Sequence, residues 1–165
     1  MSATDLPNLS VSQDFAGTEF TPIYTTTVTL SGGTAGHGRS SGKAVSDDGN
    51  LDVELRLPTA MGGPGGGTNP EQLFAAGYAA CFHGALSLLA RGAGLDPAGV
   101  RIDSTVAFGR DPSDGGYLIT AELLVDWPGV PADTAADLVA KAEQLCPYSK
   151  MTRQGTPSTV RLRTG

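Results

Sequence analysis

The chain has 165 residues, of which 39% are hydrophobic and 17% are charged, as is typical of one soluble globular domain. A formal net charge of −6 argues against a nucleic-acid backbone as partner and against attraction to an anionic membrane surface. Two cysteines in a reducing compartment are seldom a structural crosslink. They are more often core thiols, metal ligands or redox centres.

Residues 1–20 contain no Lys or Arg and no apolar segment, so no secretory signal is predicted. We expect a loosely ordered lead-in over residues 1–20, a single domain over residues 21–165, and a cytoplasmic location.

The first part of the domain is predicted to form a β meander. Its strands are rich in β-branched residues or alternate in polarity, and they cover Ile23–Leu30, Lys43–Ser46 and Leu51–Leu57. A flexible Gly/Ser-rich loop, Ser31–Gly42, separates the first two strands and carries His37 and Arg39.

A second glycine-rich loop, Met61–Gly67, precedes a long apolar helix predicted over roughly Pro70–Ala93. Two caps fit its start equally well: Thr68 with Glu71 as a capping box, or Asn69 followed by Pro70 at the first helical position. Only His83 could carry charge between Leu73 and Ala90. This stretch is rich in Ala and Gly, and we interpret it as a buried core helix rather than a membrane span.

A helix that is apolar on all sides is hard to cover with the strands of one small domain. We therefore expect a second subunit to cover part of it. Small side chains that would permit close approach of another backbone recur along the helix, at Ala76, Gly77, Ala80 and Gly84.

The second half of the domain is predicted to be a hairpin, a helix and a last strand. The predicted elements are Val100–Arg110, Tyr117–Trp127, an amphipathic helix Pro131–Cys146 stopped by Pro147, and Ser158–Thr164. The order βββ-α-ββ-α-β predicts an α+β fold.

Cys81 lies in the middle of the apolar helix, and Cys146 ends the second helix. Taken singly, each is most simply a small buried hydrophobe. A zinc site is improbable, because Cys81 and His83 point about 200° apart on a helix and no Cys-x-x-Cys pair exists. His83 is expected to be a packed, hydrogen-bonded core residue, and His37 to be solvated.

A nucleophilic thiol needs a nearby cation, since burial in apolar surroundings raises its pKa. The apolar helix offers none near Cys81, so Arg39 in the Gly/Ser-rich loop is the natural candidate. Glu71 either caps the helix or holds an arginine. It lies about 15 Å from Cys81 in a straight helix. If both serve one site, the helix breaks near Gly77 or the two residues come from different subunits.

Three segments carry a family resemblance. Residues 68–82 (TNPEQLFAAGYAACF) resemble the helix signature of the organic hydroperoxide resistance (Ohr) proteins of the OsmC-like family. Residues 146–149 (CPYS) resemble that family's second-cysteine motif, and residues 62–66 (GGPGG) resemble the glycine loop before the helix. The similarity runs from about Ile23 to Leu162.

The resemblance implies an intertwined homodimer in which antiparallel sheets wrap central helices, with active sites at the subunit interface. It further implies that Cys81 is the peroxidatic cysteine and Cys146 the resolving cysteine. Glu71 would hold a catalytic arginine, which follows a Gly-Gly element after the first strand and points to Arg39. The implied activity is reduction of organic hydroperoxides to alcohols through a sulfenic acid and an intramolecular disulfide.

The resemblance also implies that no metal, haem or flavin is needed, and that dihydrolipoamide or a lipoylated protein is the reductant. An apolar pocket for alkyl or fatty-acid hydroperoxides is expected from Met61, Phe74, Phe82 and Tyr148.

The chain departs from the family pattern in two places. Its loop Gly32–Lys43 is longer than usual and has Ser40-Ser41 after Arg39, so Lys43 and Arg153 stay alternatives for the catalytic cation. His83 replaces a residue that is often aliphatic.

Three other functions compete with a peroxidase: a non-catalytic carrier of an apolar ligand, a dimer whose cysteines are core filler, and a different thiol enzyme on the same fold.

Overall fold

The computed structural model describes residues 16–163. The β meander is confirmed as a three-stranded antiparallel sheet in the order β1-β2-β3. Its strands are β1 (Val28–Ser31), β2 (Lys43–Ser46) and β3 (Asp52–Glu54). The first strand is shorter than predicted, because residues 23–27 are exposed and lie outside the ladder with β2. The third is shorter because its ladder with β2 ends at Glu54, after which Leu55 forms only an isolated bridge to Thr68. Most of the predicted lead-in, residues 1–15, lies outside the described residues.

The Gly/Ser-rich loop between β1 and β2 contains one short helical turn, α1 (Gly38–Ser41), which carries Arg39. The Ser41 hydroxyl donates to the Gly32 carbonyl at 2.6 Å and accepts from the Ala35 N–H at 2.9 Å. Gly33 has a φ of +61°, and a Cβ there would lie 1.8 Å from the Ser41 carbonyl oxygen. Only glycine fits this position, so the loop is a compact fold that presents Arg39.

The apolar helix is α2 (Pro70–Gly92), one unbroken element of 23 residues. Its start settles the choice between the two caps: the Asn69 side chain accepts from the Gln72 N–H at 2.9 Å, with Pro70 in the first turn. Thr68 instead bonds the Gln72 side chain. By length and composition α2 could cross a membrane. In the structure it packs against a strand and two helices.

The hairpin of β4 (Arg101–Arg110) and β5 (Tyr117–Asp126) is confirmed and paired along its whole length. Strand β4 and helix α3 (Ala132–Leu145) both pack on α2. The core forms where these elements meet, and four of its members have no exposed surface: Leu86, Ala90, Ala142 and Cys146. Its centre therefore lies around the second half of α2.

The end of the chain differs from the prediction in two ways. Pro147 does stop α3, but it also occupies the first turn of an unpredicted helix, α4 (Pro147–Gln154). The predicted strand Ser158–Thr164 is wrong over residues 158–163, which form no ladder. Val160 and Leu162 there are 98% and 88% exposed. A strand needs a neighbouring strand to satisfy its backbone, and the described chain supplies none to this segment.

Candidate active site

The structure brings the two cysteines together. Cys81 is on α2 and Cys146 links α3 to α4, and their sulfur atoms are 3.4 Å apart. Both are free thiols. A disulfide bond is about 2.05 Å long, so the sulfurs need to approach by about 1.4 Å to form one. The chain can therefore form this bond with a small local shift.

Contacts between α2 and α4 hold Cys146 over Cys81. The Tyr78 hydroxyl is 3.1 Å from the Ser149 hydroxyl, which is buried in the first turn of α4. The Tyr148 ring packs across the α2 backbone at Gly77, where an added Cβ would lie 3.2 Å from the ring. Gly77, which we expected to admit another subunit, is thus occupied by a side chain of the same chain.

The surroundings of Cys81 in the single chain do not activate it. Burial raises the pKa of the Cys81 thiol, and the neighbouring Cys146 raises it further. A hydrogen bond from the Tyr148 backbone N–H acts in the opposite direction but does not cancel the rise in pKa. A cation from elsewhere is still required to make the thiolate.

Arg39 and Glu71 form the second cluster of the site. The guanidinium donates two parallel hydrogen bonds to the carboxylate, Nη1 to Oε2 at 3.1 Å and Nη2 to Oε1 at 2.5 Å. The Arg39 hydrogen bond lowers the pKa of the Glu71 carboxyl, although partial burial opposes it. The carboxylate is therefore charged at neutral pH and orients the guanidinium by a planar, bidentate contact.

Phe108 is part of this cluster and was missed by the sequence analysis. The Arg39 guanidinium carbon lies 4.9 Å from the centroid of the Phe108 ring. That ring stacks in turn on Tyr117 of β5, with centroids 5.0 Å apart. No local pattern connects Phe108 with Arg39, because they meet only through the packing of the hairpin beside the loop.

The two clusters do not meet within one chain. Helix α2 is unbroken, so the first of the two alternatives, a break near Gly77, is absent. Glu71 and Cys81 are consequently about 15 Å apart along its axis. If Glu71 and Cys81 serve one site, a straight helix leaves only the arrangement in which they come from different subunits.

The alternative cations are engaged elsewhere. Lys43 pairs with Asp52 at 2.9 Å, and Arg153 donates to the Glu143 carbonyl at 2.9 Å. His83 lies 3.3 Å from the Val100 carbonyl and 3.1 Å from the Ser87 hydroxyl, so it is the hydrogen-bonded residue that we predicted. His37 is exposed, also as predicted.

The expected pocket residues lie in three different places. Met61 lines a concavity of about 390 Å³ together with Glu71 and Phe108. Phe74 lines another of about 390 Å³ with Tyr78 and Ile119, and Tyr148 stacks on Phe74 with centroids 6.3 Å apart. Phe82 is 4% exposed within the core and lines neither concavity.

Comparisons with known proteins agree with this architecture. Residues 63–161 match the family model described as OsmC-like protein. The organic hydroperoxide resistance protein of Xanthomonas axonopodis pv. citri is 46% identical over 142 residues, covering 85% of this chain and 94% of that protein. OhrB of Bacillus subtilis is 41% identical over 141 residues, covering 86% of this chain and 98% of that protein.

Solved structures give the same result. The crystal structure of Bacillus subtilis OhrB superposes with a TM-score of 0.69, covering 81% of this chain and 93% of that one. An organic hydroperoxide resistance protein of Elizabethkingia anophelis, crystallised with thiocyanate bound, superposes with a TM-score of 0.72 at 38% identity. It covers 82% of this chain and 92% of that one. The chain therefore belongs to the OsmC-like family and, within it, to the organic hydroperoxide resistance proteins.

Proposed function

We propose that this protein is a thiol peroxidase that reduces organic hydroperoxides to alcohols with Cys81 and Cys146. The observation that carries the proposal is the 3.4 Å separation of the two sulfurs, in a chain whose relatives are named organic hydroperoxide resistance proteins. Both thiols are free, as they must be at the start of a turnover in the reducing cytoplasm where we place the protein.

The reaction divides into an oxidation and a condensation. The Cys81 thiolate attacks the terminal oxygen of the hydroperoxide, the O–O bond breaks, and the alkoxide takes a proton and leaves as the alcohol. Cys81 becomes a sulfenic acid. The Cys146 sulfur then attacks the Cys81 sulfur, the S–O bond breaks, and water leaves as the disulfide forms. A dithiol such as dihydrolipoamide or a lipoylated protein returns both cysteines to thiols.

Arg39 supplies the charge that Cys81 lacks, and a second copy of the chain brings it into place. The raised pKa of the Cys81 thiol, the bidentate Arg39–Glu71 contact and the unbroken α2 support this arrangement. A homodimer would also cover apolar side chains that one chain leaves exposed, among them Leu30, Ile119, Val160 and Leu162. Each active site then takes its sulfurs from one copy and its guanidinium from the other.

Substitution of Cys81 tests the chemistry. In the wild-type protein, one equivalent of tert-butyl hydroperoxide should yield a Cys81–Cys146 disulfide in the peptide mass map. The Cys81→Ser variant should lose turnover by at least about 1,000-fold, because the remaining thiol, Cys146, is completely buried and closed to a hydroperoxide. Normal turnover by Cys81→Ser would refute the proposal, and it would favour an apolar-ligand carrier or core-filler thiols.

Mixed dimers test the shared site. Arg39→Met and Cys81→Ser should each keep at most about 1% of the wild-type activity as separate homodimers. When the two are coexpressed, mixed dimers contain one site with both residues intact. Activity should then return to about a quarter of the wild-type value for random assembly. If a confirmed mixed dimer shows no recovery, each active site takes both Arg39 and Cys81 from the same copy of the chain, and the shared site is refuted.

A further inference from the structure

The structure distinguishes the two sulfurs of the disulfide by access, and this bears on how the enzyme is reduced. We propose that the external thiol attacks Cys81, and that Cys146 is always the leaving thiolate. The inference rests on the proposed function, since it concerns the second half of that catalytic cycle.

Cys146 is closed to solvent by its own chain. It is 0% exposed and belongs to the core cluster, together with Leu86, Leu138 and Ala142. Association with a second copy of the chain cannot expose it. This burial therefore holds whether the protein is a monomer or a dimer.

Because a thiol must attack a disulfide from a fixed direction, the burial of Cys146 decides which sulfur an external thiol can reach. In thiol–disulfide exchange the incoming sulfur approaches in line with the S–S bond, behind the sulfur that it attacks. Cys146 is the fully buried member of the pair, so the space behind it is core rather than solvent. An external thiol would have to open the contacts of α3 and α4 with α2 before it could reach that position.

Cys81 is the accessible member of the pair. It lies at the margin of the core cluster and is only partly buried. The oxidation step requires a hydroperoxide to reach this same sulfur. The route that admits the peroxide therefore also admits the thiol, on the side of Cys81 away from Cys146.

The exchange balances as two displacements. The reductant thiolate bonds to Cys81 Sγ, the Cys81–Cys146 bond breaks, and Cys146 leaves as a thiolate that takes up a proton. The second thiolate of the dithiol then attacks the reductant sulfur bound to Cys81. Cys81 is released as a thiolate, and the reductant leaves as a cyclic disulfide. Cys81 thus takes part in both the first and the last step of the cycle.

Single-cysteine variants test the access directly. Cys146→Ser leaves only Cys81, and Cys81→Ser leaves only Cys146. We expect native Cys81 to exchange with 5,5′-dithiobis(2-nitrobenzoate) at least about 100-fold faster than native Cys146. The two rates should become similar in guanidinium chloride. Native Cys146 reacting as fast as Cys81, in a variant with a wild-type near-UV circular dichroism spectrum, would overturn the inference.

The wild-type protein gives a second measurement that does not depend on variants. The disulfide is formed with diamide, treated briefly with 2-mercaptoethanol, quenched in acid and mapped by mass spectrometry. The mercaptoethanol adduct should be found on Cys81, and an adduct mainly on Cys146 would overturn the inference. Neither experiment uses peroxide, so a failure of the peroxidase proposal would appear separately, as absent turnover with these results unchanged.

Discussion

The sulfur pair and the Arg39–Glu71 pair are built in opposite ways. Cys81 and Cys146 meet among three packed helices, and one of the two sulfurs is completely buried. Arg39 and Glu71 meet at the surface, between a glycine-rich loop and the first turn of α2, with 29% and 13% of their side chains exposed.

This difference separates two steps of the proposed reaction, disulfide formation and activation of the Cys81 thiol. The helices alone place the sulfurs at 3.4 Å, so disulfide formation needs no partner. Under the proposed mechanism, activation of Cys81 does need one, because its thiol pKa is raised and Glu71, which holds the guanidinium, lies about 15 Å away along α2. Variants in the two regions should therefore fail in different steps.

Among variants that keep both cysteines, the largest effect is expected at the Arg39–Glu71 pair. Arg39→Met should lower kcat/KM for tert-butyl hydroperoxide by about 100-fold, or about 2.7 kcal/mol of transition-state stabilisation. It should also raise the pKa of Cys81 measured by iodoacetamide alkylation. The diamide-formed disulfide should appear as in the wild type.

Lys43→Met is the matched control for Arg39→Met, since Lys43 pairs with Asp52 on the sheet surface. Its kcat/KM should stay within about twofold of the wild-type value, as expected for an exposed ion pair. A loss as large as that of Arg39→Met would mean that the wrong cation has been assigned to the site.

Two glycines of α2 test the support of the sulfur pair. In Gly77→Ala the new methyl would meet the Tyr148 ring at 3.2 Å, so α4 must shift. We expect a net loss of about 1 kcal/mol in the free energy of unfolding, since overpacking exceeds the gain in helix propensity. Disulfide formation should slow with it. Urea unfolding and timed mass mapping measure the two effects.

Gly84→Ala is the control on the same helix, because among residues 16–163 nothing outside the adjoining helix lies within 4 Å of its added methyl. It should stabilise the protein by about 0.5–1 kcal/mol through helix propensity alone. A loss of stability instead would indicate that a second copy packs closely at Gly84. Equal stabilisation by both substitutions would contradict the contact between Tyr148 and Gly77.

A smaller effect is expected from the hydroxyl that joins α2 to α4. Tyr78→Phe removes the 3.1 Å hydrogen bond to the buried Ser149 hydroxyl. The free energy of unfolding should fall by about 1 kcal/mol, and disulfide formation should slow a few-fold. Tyr117→Phe is the control, since the Tyr117 hydroxyl has no hydrogen-bond partner among residues 16–163. If both variants lose the same free energy of unfolding, the hydrogen bond of Tyr78 does not contribute to the packing of α4 on α2.

The smallest effect is the pH dependence of the Arg39–Glu71 pair. Because Arg39 lowers the folded-state pKa of Glu71, the pair stabilises the protein above the usual glutamate pKa of about 4.3. This contribution is lost as the pH falls through the lowered folded-state pKa. The stability difference between wild type and Glu71→Gln should therefore be present at pH 7 and vanish in acid. Urea unfolding from pH 2.5 to 7 measures it, and a difference independent of pH would contradict the ion pair.

Local patterns in the sequence were enough for most of the secondary structure. Period-two alternation located the meander and the hairpin, and an apolar run opened by Asn69 and Pro70 located α2. The same patterns failed for α4. Pro147 was interpreted only as a helix stop, although proline also favours the first turn of a new helix.

The sequence by itself determined which cysteines are proposed for the chemistry, because the signature around Cys81 and the motif at Cys146 are local in the chain. Only the tertiary structure decided that the sulfurs meet, that Arg39 rather than Lys43 or Arg153 contacts Glu71, and that Phe108 lies against it. These contacts join residues 32 to 69 positions apart, and they depend on how helices, hairpin and loop pack rather than on any local pattern.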